Sequence, residues 1–383
     1  MSYNEFKVPL PVVFGNGAIS VLGEKIRELG CKKPLVITEK ALVNAGVAVK
    51  ALDALKASGI DCAVFDEVAS DPTCAVVDAA AKIAAGFGAD ALIGIGGGSS
   101  MDTAKAAAIA YETGKPAKEF VLAQPAMINI KIPVVLVPTT AGTGSEVTFV
   151  AVITREDVNE KWSVFTNTSL AVIDPELTYS MPKSITANTG LDALAHAAEA
   201  MTTNQTNPHS DLFGEAAIAK IFKWLPVAYN EPNNAEARTE MALAANFAGF
   251  AFNNPVTHIG HAVADALSKT FHTPHGYNCA LALPEALALT APALPETSAI
   301  IAKAMGAALT GNESGAELGT IIADAVRELM RKTGIKPLSE IAKRDDVVAL
   351  AKDVADNHLS SFCPVEVTTE VAAAMLAKVY DNY

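Results

Sequence analysis

ALIGIGGGSSMDTAK, residues 91–105, decides the fold of this chain. A short apolar strand runs straight into three glycines, two serines and a helical segment. Consecutive glycines let a backbone approach a ligand closely, and free N–H groups at a helix start attract phosphate. The stretch is not a P-loop, because no G-K-[ST] follows. Nor is it a full G-x-G-x-x-G, because Ser99 stands at the sixth position. It reads as a strand–turn–helix unit whose glycines (Gly96, Gly97, Gly98) and Ser99 face a pyrophosphate or form a plain tight turn.

Working outward, the same alternation recurs. KPLVITEK (33–40), DCAVFDEV (61–68) and IPVVLVP (132–138) read as further strands, with helical stretches to about Gly59 and near 74–87. Strands alternating with helices imply a parallel sheet covered on both faces, an α/β Rossmann-like domain. PTTAGTGSEVT (138–148) follows the fourth strand with small residues and hydroxyls, which suit a ligand crevice at a strand's carboxyl end. Glu39 ends the first strand. An acid there binds ribose hydroxyls and repels a 2′-phosphate, which favours NAD over NADP. Residues 147–174 read as a β-hairpin that returns to AVIDP. From about Ser184 the composition turns almost wholly helical, so the expected domains are 1–184 (α/β, NAD-binding) and 185–383 (all-α).

The bulk properties narrow the function. The 383 residues suffice for two domains, and a net charge of -13 disfavours nucleic acid and anionic membranes as partners. Five scattered cysteines without C-x-x-C fit a reducing compartment. The N-terminus lacks the basic and apolar regions of a signal peptide, and no stretch reads as membrane-spanning. The expected location is the cytoplasm.

The second half carries the chemistry. In NTGLDALAHAAEA (188–200), Asp192 and His196 are four residues apart in a helix-forming, Pro-free stretch, so they share a helix face. HIGHAVADALSKTFHTPHG (258–276) holds four of the seven histidines: His258, His261, His272 and His275. Spacing alone does not say which of these join Asp192 and His196. A carboxylate with imidazoles suits a divalent transition metal such as Fe, Zn or Mn, which polarises an oxygen and lowers the pKa of an attached hydroxyl.

With these motifs in this order, and with AGFAFNN (248–254) and TPHG (273–276), the chain resembles the iron-containing (group III) alcohol dehydrogenases of the dehydroquinate synthase-like superfamily. The resemblance covers nearly the whole length. It implies a nucleotide-binding N-terminal domain, a helical metal-binding C-terminal domain and an active site in the cleft between them. It implies Asp192, His196, His261 and His275 as ligands of one metal ion, iron by family habit, and Gly96, Gly97, Gly98 and Ser99 as the pyrophosphate site. Asp102 would lie near the adenosine half. Thr139, Thr140, Thr143 and Ser145 would line the cofactor crevice, and Lys161 would approach the ribose. A dimer or larger homo-oligomer is the family habit.

One departure stands out. The family string is close to H-x-M-A-H-P-L-G, whereas this chain reads HAVADALS (261–268), so Asp265 replaces a histidine associated with proton transfer. An isolated aspartate ionises near about 3.9, and burial would have to raise it for work near neutrality. His258 and His272 are the other candidates for the proton step. Lys269, where relatives carry Gly or Ala, either faces solvent or favours a substrate with a polar or anionic tail. The expected activity is metal-dependent, NAD(H)-linked oxidation of a small primary alcohol or diol, or reduction of its aldehyde, including lactaldehyde or sulfoacetaldehyde types. The alternatives are a polyol or short hydroxy-acid dehydrogenase, a dehydroquinate synthase-like lyase, and a silent scaffold. The first follows the same fold, the second calls for several basic residues around a phosphate whereas few Arg or Lys lie near the ligand histidines, and the third sits poorly with intact ligand positions.

Overall fold

The computed structural model describes residues 6–7 and 10–383. The chain divides into two compact units. One runs from residue 10 to Thr140 and resumes over Gly144–Ser180; the other holds Phe6, Lys7, Ala141–Thr143 and Met181–Tyr383.

In the first unit the strands are β1 (Val12–Phe14), β2 (Pro34–Ile37), β3 (Ala63–Phe65), β4 (Ala91–Gly96), β5 (Met127–Ile128), β6 (Val134–Pro138), β7 (Val150–Arg155), β8 (Glu160–Thr166) and β9 (Leu170–Ile173). Six form a wholly parallel sheet in the order β1-β9-β6-β4-β2-β3. Successive side chains alternate across it. Leu35, Ile37, Leu92, Val134 and Leu136 pack on one face with helices Cys74–Phe87 and Gly98–Thr113. Val36, Ile93, Ile95, Val135 and Val137 pack on the other with helices Leu22–Glu28 and Val47–Ala57. Both faces are buried, which is why these strands read as continuous apolar runs. The expected hairpin is β7–β8, antiparallel, with β5 alongside β8 in a separate three-stranded sheet.

Strand order reverses between β2 and β4: the chain goes out to β3, returns to β4, and continues to β6 and β9. Ligand crevices in open α/β sheets form at such a switch point, outside the strands' carboxyl ends. Glu39, just past β2, and the glycines, just past β4, stand there.

The second unit is all helix. Its centre is Lys183–Thr202, packed by Pro208–Asn230, Ala235–Phe252 and His275–Thr290. Every residue from Gly190 to Thr202 is buried. Alanines on most sides let the neighbours come close, so this helix has no polar face. Asp192, His196 and Glu199 are therefore ionisable groups inside a core, where they require partners. Among the described residues, no helix is long and apolar enough to cross a membrane.

Candidate active site

The glycine loop has the features of an anion site. Helix Gly98–Thr113 begins at Gly97, which offers no side-chain cap, and its first turn carries no acidic residue. Its leading N–H groups and the positive end of its dipole are left for a ligand. Gly96 sits at φ 154°, and a Cβ there would lie 2.4 Å from Ser100 Oγ. Ser100 Oγ donates to Glu39 Oε1 (3.3 Å), so the acid after β2 is tied to the glycine helix across the switch point. Burial pushes the Glu39 carboxyl up, and the Ser100 hydrogen bond partly offsets this.

Asp102 and Ser145 are engaged with each other and with a residue the sequence reading passed over. Lys105 is fully buried and donates to Ser145 O (2.6 Å), Ser145 Oγ (2.8 Å) and Val150 O (2.7 Å). Ser145 Oγ donates to Asp102 Oδ1 (2.6 Å), and the Val152 N–H donates to Asp102 Oδ2 (2.9 Å). This network pins the segment after β6 onto the glycine helix. Thr139 is buried beside Gly96, its N–H on the Gly96 carbonyl (2.9 Å), and Thr140 is half-buried next to Gly97. Lys161, on β8, pairs with Asp71 (2.6 Å). Thr143 groups with the helical unit.

Lys105→Met should destabilise the protein by about 2–5 kcal/mol in urea unfolding at pH 7. It strands two carbonyls and leaves Asp102 without its cation. Burial brings the Lys105 ammonium down to about 8, despite Asp102 and Glu146 nearby. Between about pH 8 and 10.5 the unfolded chain therefore holds a proton that the folded chain has released. Wild-type stability relative to the variant should rise with pH across that window.

In the helical unit, helices bring the expected ligands together. The donor atoms of Asp192, His261, His275 and Cys279 all lie within 4.8 Å of one another. His196 stands beside them, its Nδ1 4.0 Å from Asp192 Oδ2, with its ring stacked on Phe252 and tilted against His261. Asp192 Oδ1, His196 Nδ1 and His261 Nε2 are buried with no hydrogen-bond partner. Three orphaned donors converging in a core are what a divalent cation would satisfy.

Glu199, which the sequence motifs do not single out, braces this cluster. It is fully buried, and its Oε2 accepts from His258 N (2.7 Å) and faces His261 Nδ1 (3.0 Å). With Nδ1–H donating to the carboxylate, His261 Nε2 keeps its lone pair for a metal. Burial alone would raise the Glu199 carboxyl, but His258 and His261 hold it down to about 2. Burial pushes His261 down, yet the Glu199 carboxylate outweighs it and the imidazole is raised. His196, buried and facing His261, falls well below the usual histidine range. The available signal was spacing: Glu199 lies seven residues after Asp192 and so returns to its helix face.

The three proton-step candidates separate. The His258 ring is fully buried in the helical core, with Nε2 2.8 Å from Thr202 Oγ1. His272 is exposed and ends helix Ile259–Phe271 in the left-handed conformation. Asp265 is half-buried, with Oδ1 3.9 Å from His275 Nδ1 and Oδ2 within 3.5 Å of Asn357 Nδ2. Of the three, Asp265 is the one whose side chain lies within 4 Å of a ligand histidine's ring nitrogen. Lys269 is exposed, as in the solvent-facing alternative.

Comparison with known proteins agrees with both halves. The family model for iron-containing alcohol dehydrogenases matches residues 9–175, and that for the C-terminal part of the Fe-containing alcohol dehydrogenase family matches 186–380. The chain is 31% identical over 376 residues to the NAD-dependent methanol dehydrogenase of Bacillus methanolicus, covering 97% of this chain and 98% of that one. It is 34% identical over 363 residues to the lactaldehyde reductase of Escherichia coli (strain K12), covering 93% and 94%. A solved sulfoacetaldehyde reductase from Bifidobacterium kashiwanohense, in complex with NAD+, matches with a TM-score of 0.91 at 30% identity, covering 100% of each chain. The chain belongs to the iron-containing alcohol dehydrogenase family and is an oxidoreductase of alcohols and aldehydes.

Proposed function

We propose that this enzyme interconverts a small primary alcohol or diol and its aldehyde, with NAD(H) as hydride carrier and one divalent metal ion held by Asp192, His196, His261 and His275. The observation that carries the reading is the set of buried donors without partners, Asp192 Oδ1, His196 Nδ1 and His261 Nε2. A metal bound there supplies Lewis-acid polarisation of the substrate oxygen. Iron is the family's metal; zinc or manganese would accept the same donors. Glu199 sets the tautomer of His261, and Asp265 stands where it can orient His275 and pass a proton to solvent. Gly96, Gly97, Gly98 and Ser99 take the pyrophosphate, Glu39 the ribose, with Asp102, Thr139, Thr140, Thr143, Ser145 and Lys161 around the cofactor. The named activities of relatives, on methanol, lactaldehyde and sulfoacetaldehyde, support a small substrate. A cytoplasmic homo-oligomer, dimer or larger, completes the proposal, and light scattering of the purified chain checks its assembly.

The test is NADH oxidation by protein stripped of metal and refilled with Fe, Zn or Mn. The substrates are propanal, lactaldehyde, succinic semialdehyde and sulfoacetaldehyde. Turnover that follows metal content is expected. Full activity in the stripped protein would overturn the reading. Glu39→Gly should raise kcat/KM with NADP by about tenfold, the scale of removing one partly screened repulsion. An unchanged NAD/NADP ratio would remove Glu39 from the ribose site.

A further inference from the structure

Two helices of the second unit each offer donors four residues apart. Lys183–Thr202 presents Asp192 and His196, and His275–Thr290 presents His275 and Cys279. The i,i+4 spacing puts each pair on one helix face. The four donor atoms that close within 4.8 Å of one another include Cys279 Sγ. Cys279 is fully buried, and Sγ lies 3.5 Å from His275 Nε2. His275 Nε2 in turn lies 3.9 Å from Asp192 Oδ1. A thiolate and an imidazole about 110° apart on one ion, with bonds of about 2.3 and 2.0–2.1 Å, sit about 3.5 Å from each other. The sulfur therefore already has the separation from an imidazole that shared coordination requires, and it lies within 4.8 Å of an Asp192 carboxylate oxygen.

We propose that Cys279 Sγ is a direct donor to the catalytic metal, so that this chain holds its ion with a carboxylate, imidazoles and a thiolate. The inference rests on the metal-dependent reading above. On binding, the thiol releases its proton to solvent and a sulfur lone pair forms the bond to the cation. A soft thiolate shifts the site's preference toward zinc and away from manganese.

The test is X-ray absorption of the full chain, stripped and reloaded with zinc, together with optical spectra of the cobalt(II) form. The expected result is a sulfur shell near about 2.3 Å beside nitrogen and oxygen, and a near-ultraviolet sulfur-to-cobalt charge-transfer band. Both should vanish in Cys279→Ser while metal stays bound. If that variant fails to fold, one with Cys31→Ser, Cys62→Ser, Cys74→Ser and Cys363→Ser together decides. A sulfur shell retained there supports Cys279, and one lost there overturns it. Bound metal with only nitrogen and oxygen neighbours, or a band unchanged in Cys279→Ser, overturns the thiolate and leaves the metal-dependent reading standing. A wild-type chain that binds no metal overturns both.

Discussion

Replacing His261 with alanine should strip the protein of metal and lower kcat/KM by at least about 10³-fold, the scale of losing metal polarisation of the reacting oxygen. His261 is 5% exposed, and its Nε2 has no partner within the protein. Its other nitrogen is committed to Glu199. The side chain is thus oriented at a cost that only a ligand at Nε2 recovers. Alanine would also leave the Glu199 carboxylate buried with the His258 N–H as its remaining contact, so a loss of several kcat/KM decades should accompany a measurable fall in Tm. The checks are elemental analysis after dialysis and steady-state kinetics on the same sample. Metal retained at the wild-type level would move the ligand role to His258, whose buried Nδ1 also lacks a partner.

Gly260→Ala should weaken metal affinity by about 10–100-fold, the usual cost of losing a group that orients a ligand. A Cβ at Gly260 would fall 1.7 Å from Glu199 Oε1, so the carboxylate must move and His261 loses its brace. Helix propensity argues the opposite sign, because Gly to Ala stabilises a helix by up to about 1 kcal/mol, less in the first turn where Gly260 stands. The sign is therefore diagnostic. Zinc competition titration and thermal unfolding of the metal-free chain read the two effects separately. A variant as stable as wild type, with unchanged zinc affinity, would mean that Glu199 does not hold His261.

Much of the first unit is legible in the chain because its strands are buried on both faces. PLVI, ALIGI and VVLVP have nowhere to sit except between two layers of helix, and the run of glycines after β4 marks the switch point. Strand β1 escaped notice, since three residues carry no periodicity. Strand β2 is shorter than KPLVITEK: it ends at Ile37, and Glu39 is the extended N-cap residue of the next helix, Lys40–Asn44. The passage of Ala141–Thr143 to the helical unit leaves no compositional trace, because a three-residue excursion neither repeats nor shifts in polarity.

At the metal cluster the division is sharper. Sequence by itself determined the α/β and helical halves, the family, the glycine loop and the pairing of Asp192 with His196, because these follow from continuous apolar runs, helical spacing and long ordered motifs. Tertiary structure alone decided that Glu199 holds His261, that His258 is walled into the core, that Lys105 ties Asp102 and Ser145 together, and that Cys279 faces Asp192 and His275. Each of those depends on how helices distant along the chain cross. The crossing is set by alanines and glycines whose contribution is how little side chain they carry, and that becomes meaningful only once the neighbouring helix is in place.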